Sequence, residues 1–121
     1  MVIGDAPTPA RFGRVVAAVV TMLLPERQPD VRAVAEVIQL STRTLQRRLS
    51  EEGLTFATVV ARARFDAARR MLEDPSRRVV DVALEVGYSD QAHFTRAFVR
   101  WTGLSPREFR RRTSSDPSMR T

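Results

Sequence analysis

A chain of 121 residues with a net charge of +6 and a pI near 11.4 has room for one domain or two small lobes with separate cores, and its charge calls for an anionic partner. With no cysteine, a single His and no Gly-rich phosphate loop, disulfides, thiolate metal sites and a Cys nucleophile are excluded, and neither a catalytic constellation nor a cofactor site is recognisable. The longest apolar run, Val15 to Leu24, falls well short of the ~20 residues of a membrane span and lacks the flanks of a signal peptide, so a cytoplasmic protein with no membrane contact is expected.

Residues 1–7 show no periodicity and are expected to form a flexible arm or linker remnant. Thr8 followed by Pro9 suits an N-cap with Pro at the first helical position. Phe12, Val15, Val16, Val19, Val20 and Leu23 then follow a helical stripe, which Pro25 and Pro29 close. Val costs a helix roughly 0.5 kcal/mol per residue against Ala, so burial must hold this one. Asp30 can cap a second helix, Val31 to Ile38, with Val31, Val34, Ala35 and Ile38 on one face. Ser41 then caps a third, Thr42 to about Glu52, with Leu45 and Leu49 inward and Gly53 as its stop. Its outer face presents Arg43, Gln46 and Arg47, with Thr42 and Thr44 beside them.

Thr55 opens a long helix from Phe56 to about Glu73, ended by Asp74-Pro75. Its apolar side is read as Phe56, Val60, Ala63, Ala67, Ala68, Met71 and Leu72. Arg62, Arg64, Arg69 and Arg70 are left as a solvated face, although Arg64 lies near enough to the apolar side to serve instead as a buried anchor to a carboxylate. In the next stretch Val82, Ala83 and Val86 share one face of a short helix. A tight turn at Gly87 follows, then a second helix begun by Ser89 and stopped at Gly103. Phe94, Ala97, Phe98 and Trp101 form the core stripe of that helix. Outside the stripe lie Gln91, Ala92, Thr95 and Arg96, with Asp90 and His93 at its margins. Such a face carries hydrogen-bonding groups and a bidentate guanidinium, the inventory that reads base edges in a major groove. Two short helices joined by a Gly-containing turn form a helix-turn-helix, whose second helix is the reader. His93 is read as an edge-of-core residue in preference to a base contact, and Tyr88 and Trp101 as packing. Ser105, Pro106 and Glu108 make a three-part N-terminus signature for a last helix, Pro106 to about Arg112, with Phe109 inward and Arg107, Arg110, Arg111 and Arg112 outward. Residues 113–121 are Ser/Thr-rich and expected to be disordered.

The two helix-turn-helix segments repeat one another. Val34-Ala35 matches Val82-Ala83, and Ser41 matches Ser89 at the same spacing. After one inserted residue, Leu45 matches Phe94, Arg47 matches Arg96, and Leu49 matches Phe98. Two copies in register, with Arg at the same face position, are far harder to obtain by chance than one. Every basic residue in the chain is Arg, whose planar fork fits phosphate and guanine edges; an Arg-favouring codon bias explains the missing Lys equally well.

Ala35, the run Leu40-Ser41-Thr42-Arg43-Thr44-Leu45-Gln46-Arg47-Arg48-Leu49 and Gly53, followed by Arg64, Ala68 and Leu72, resemble the first half of an AraC/XylS-family DNA-binding domain. Ala83, the run Gly87-Tyr88-Ser89-Asp90-Gln91, then Phe94, Arg96-Ala97-Phe98, Gly103-Leu104-Ser105-Pro106 and Phe109-Arg110 resemble its second half. The resemblance implies an all-α fold of seven helices: a first helix-turn-helix lobe over 8–54, a linker helix over 55–74, and a second lobe over 75–112, with one reader each in successive major grooves. It implies double-stranded DNA as partner, bacterial transcription activation or repression as role, and a nucleoid-associated location. RNA polymerase is a candidate second partner, and oligomerisation is left to a domain this chain lacks. The base-contacting positions it implies are Arg43, Gln46 and Arg47 on the first reader and Gln91, Ala92, His93 and Arg96 on the second. Backbone contacts are expected from Ser41, Thr42, Thr44, Ser89, Asp90, Thr95 and Arg107. Two positions depart from the pattern: the Ala92 methyl can touch a thymine methyl but donates no hydrogen bond, and Gln39 stands at the turn position that Gly87 fills in the second copy. Asp90 either favours the positive end of its helix or accepts from a cytosine amine. The competing reading is an adaptor whose basic face binds an acidic protein or RNA.

Overall fold

The computed structural model describes residues 11–24 and 29–115. The expected arm, the Thr8-Pro9 cap, Pro25 and positions 116–121 lie outside these residues. Among the described residues the chain is all-α, with seven helices: α1 (Arg11–Leu23), α2 (Val31–Ile38), α3 (Thr42–Glu51), α4 (Phe56–Leu72), α5 (Val79–Glu85), α6 (Gln91–Thr102) and α7 (Pro106–Ser115). They form two compact units. The first holds α1 to α3 and the start of α4 through Ala63, and the second runs from Arg64 through α5, α6 and α7.

In the first unit the Val-rich α1 is held as its composition requires. Phe12, Val16, Val19 and Val20 are buried with Ala33, Val34, Leu45, Leu49 and Val59. Two polar contacts tie α1 to α3 and its C-cap, Glu52. The backbone N–H of Gly13 donates to Glu52 Oε1 at 2.9 Å, and the Arg48 guanidinium lies 4.1 Å from the centre of the Phe12 ring. Asp30 caps α2, its Oδ1 accepting from Ala33 N–H at 2.8 Å. On α4 the buried residues are Val59, Ala63, Ala67, Ala68 and Leu72, whereas Phe56, Val60 and Met71 are only half-buried. Thr55 and Thr58 open that helix reciprocally, each hydroxyl accepting the other's backbone N–H at 3.1 Å.

The second unit is built around aromatic rings. Phe94 and Phe98 are fully buried, and Phe98 meets Phe65, Trp101 and Phe109. Tyr88 packs on Phe94 and Trp101, as expected of a turn-packing residue. The α7 signature closes as a capping box: Ser105 N–H donates to Glu108 Oε1 at 2.9 Å, and Glu108 N–H to Ser105 Oγ at 3.1 Å. Those bonds hold the Glu108 carboxyl below its ordinary range, the backbone donor contributing most. Two expectations about this end change. α7 continues to Ser115, so residues 113–115 are helical, with Thr113 Oγ1 donating to the Phe109 carbonyl at 2.7 Å. Arg110 is half-buried rather than outward, because its Nε donates to the Leu72 carbonyl at 3.0 Å and its Nη2 to the Asp74 carbonyl at 3.3 Å. The Leu72 carbonyl at the end of α4, which no intrahelical donor reaches, takes a guanidinium instead, while the Asp74 carbonyl accepts from that guanidinium and also from the Arg77 N–H at 3.1 Å.

The two helix-turn-helix turns share one construction. Leu40 N–H donates to the Ala35 carbonyl and Tyr88 N–H to the Ala83 carbonyl, both at 3.0 Å, while Gln39 and Gly87 hold positive φ. The copies differ in what lies against the turn. At Gly87, with φ +99°, a Cβ would stand 3.3 Å from an Arg64 guanidinium nitrogen; that guanidinium also lies 5.1 Å from the Tyr88 ring centre. Gly87→Ala should therefore lower stability by about 1–2 kcal/mol through backbone strain alone, read as a lower urea midpoint. Gln39→Gly is the contrast. It relieves strain of roughly 1 kcal/mol but adds 0.5–1 kcal/mol of unfolded-chain freedom, so its midpoint should hardly move.

Candidate nucleic-acid interface

The first reader, α3, starts at Ser41, whose Oγ accepts the Thr44 N–H at 3.1 Å and donates to Thr44 Oγ1 at 2.9 Å. This cap leaves Thr42 and Thr44 half-buried at the helix start. Leu45 and Leu49 anchor the inner face in the core. Their burial fixes the rotation of the helix and turns Arg43, Gln46 and Arg47 out to solvent, as the spacing predicts. Arg47 Nη1 reaches Glu51 Oε2 at 3.5 Å across one helical turn, with both side chains about two-thirds exposed. An exposed pair of this kind contributes well under 1 kcal/mol, so a phosphate or a base edge can displace Glu51 readily.

The second reader, α6, starts one residue later than Ser89 predicts. Its N-cap is Asp90, in extended backbone, with Oδ1 accepting the His93 N–H at 2.8 Å. The counterpart of Ser41 is thus Asp90. Ser89 is itself the inserted residue, and it falls before the cap instead of after it. The register was available in the sequence: Leu45 stands four residues after Ser41, and Phe94 four after Asp90, and Asp caps as well as Ser. Asp90 Oδ2 lies 3.0 Å from His93 Nδ1. Together these bonds hold the Asp90 carboxyl below its ordinary range, the backbone N–H of His93 having the largest effect. His93 is exposed, so it is not the edge-of-core residue expected of it. Ala92 and Arg96 are also exposed, Gln91 and Thr95 are half-buried, and Phe94, Ala97 and Phe98 are inside. Ser89 is exposed ahead of the helix, and Arg107 is exposed at the start of α7.

Each reader is therefore a short helix with a side-chain-capped N-terminus, one face locked in a core, and an opposite face of Arg, Gln and small polar groups. Among the described residues no cluster of three or more His, Cys, Asp or Glu could hold a metal, and no helix is long and apolar enough to cross a membrane. Two arginines are structural in the second unit: Arg64, for which the sequence leaves both a solvated place and a buried anchor to a carboxylate open, rests on the Tyr88 ring, and Arg110, expected to face outward, on the end of α4.

The fold and these two faces define a doubled helix-turn-helix protein. A helix-turn-helix domain family matches residues 34–112. The chain belongs to the AraC/XylS family of DNA-binding transcriptional regulators. It is 36% identical over 104 residues to the HTH-type transcriptional regulator VirS of Mycobacterium tuberculosis, covering 86% of this chain and 31% of that protein. The chain thus spans about a third of that relative's length. An AraC-type transcriptional regulator from Chromobacterium violaceum shares the fold, with a TM-score of 0.77 at 21% identity over 88% of this chain and 94% of that one. The DNA-binding domain of the global transcriptional factor AdpA, solved in complex with a target DNA, superposes with a TM-score of 0.70 at 27% identity, covering 93% and 98% of the two chains.

Proposed function

We propose that the chain is a sequence-specific reader of duplex DNA in transcription control, setting α3 and α6 into successive major grooves. Arg43, Arg47 and Arg96 contact guanines through paired donors to O6 and N7, while Gln46 and Gln91 serve adenine edges. Ala92 offers its methyl to a thymine methyl. Ser41, Thr42, Thr44, Ser89, Thr95 and Arg107 line the phosphates, where exposed helix-start amides and hydroxyls favour an anion. Asp90 acts through the cap and through His93. The observation that carries this reading is the pair of capped helices whose guanidinium-bearing faces point away from their cores. The AdpA domain on its target DNA supports it.

Selection of bound fragments from a random duplex pool tests the reading. The expected product is a consensus of two half-sites about one helical turn apart. With roughly 6 phosphate contacts, log affinity should fall against log salt with a slope near −5. Uniform binding to any polyanion would favour the adaptor, and a flat salt response would remove the phosphate contacts.

A further inference from the structure

Both carboxylate oxygens of Asp90 meet His93. Oδ1 closes the α6 cap on the His93 backbone, and Oδ2 stands 3.0 Å from Nδ1 of the His93 ring. A carboxylate only accepts, so the ring nitrogen facing it carries the hydrogen. A neutral imidazole has a single N–H, which leaves Nε2, on the other edge of the ring, as a bare acceptor. The side chain is 59% exposed and lies three residues before Arg96, on the same side of the helix. In a major groove an acceptor finds hydrogens only on the amines of adenine N6 and cytosine N4, since guanine and thymine present acceptors there.

We propose that Asp90 is a positioning residue that fixes the tautomer of His93, so that His93 Nε2 selects an amine-bearing base, adenine or cytosine, at one position of the DNA site. The assignment rests on the reading of α6 as a groove-reading helix. It goes further by making specificity at one position depend on a residue that touches no base. The lowered carboxyl of Asp90 keeps the acceptor ionised and the arrangement in place.

Two measurements on the full chain test it. His93 is the only histidine, so long-range nitrogen–proton NMR correlations of the free protein report its tautomer without ambiguity. At about pH 8, above the range in which an ordinary imidazole is charged, the expected pattern is Nδ1–H with Nε2 bare. A ring protonated at Nε2 overturns the proposal. The second measurement is pool selection with Asp90→Asn. The amide oxygen can keep the cap on the His93 N–H, which turns the amide N–H toward Nδ1 and drives the hydrogen to Nε2. Preference at one position should then change from adenine or cytosine to guanine or thymine by about tenfold, and His93→Ala should abolish preference at that position alone. An unmoved consensus in Asp90→Asn overturns the tautomer device and leaves the reading of α6 standing. A wild-type chain that selects no consensus overturns the reading of α6 and the base assignment together, whatever the NMR result.

Discussion

Phe98→Ala should cost the second unit about 3–5 kcal/mol, the range for deleting a buried aromatic ring. Phe98 is fully buried, and its ring centre lies 5.8, 5.6, 6.3 and 5.3 Å from those of Phe65, Phe94, Trp101 and Phe109. Each tilted or edge-on pair contributes about 0.5–1.5 kcal/mol beyond area, so the four contacts push the loss toward the top of the range. Small domains hold only about 5–15 kcal/mol in total, and this single change removes a large part of it. Urea unfolding followed by Trp101 fluorescence reads the effect directly, because that indole is one of the four neighbours. Val99→Ala, next along α6 but exposed, should stay within about 0.5 kcal/mol of the parent. A small loss in Phe98→Ala would mean that the unit is not organised on this ring.

Arg96→Ala should leave folding intact and weaken binding to the selected site by about 1–3 kcal/mol, or roughly 5- to 150-fold, with preference relaxed at one base pair. The side chain is exposed above the buried row of Phe94, Ala97 and Phe98, so its removal opens no cavity. Arg96→Lys separates charge from fork: a lysine keeps the attraction to phosphate but cannot match both guanine acceptors at once. Affinity for random DNA should therefore hold in Arg96→Lys while discrimination falls. Equal losses on every sequence, measured by anisotropy with labelled duplexes, would assign Arg96 to the phosphates.

Much of the fold is visible in the sequence because it is periodic or capped. The α6 core row follows helical spacing, the α7 capping box is a local pattern, and the positive φ at Gln39 follows from its equivalence with Gly87. What escapes reading depends on distance along the chain or on competition between neighbours. Ser89 and Asp90 are both good caps, and only the register against Phe94 decides between them. Phe65 sits between Arg64 and Asp66, a context that reads as solvated, yet its ring lies 5.5 Å from Trp101 on a helix more than thirty residues away. Arg110 opens a run of three arginines, and nothing nearby indicates that its partners are the carbonyls of Leu72 and Asp74. On the candidate interface, exposure follows from periodicity, whereas the bond between Asp90 and His93 needs the correct cap first.

The residues turned outward on α3 and α6 support nothing beneath them. Arg43, Gln46, Arg47, Ala92 and Arg96 can be exchanged at a stability change within about 0.5 kcal/mol, whereas Leu45, Leu49, Phe94 and Phe98 cannot. Descendants of this chain can therefore acquire new addresses by drift on two short strips of surface while the scaffold stays put. Position 93 is the exception, since its chemistry is tied to the residue that starts the helix, and a change there has to be made in pairs.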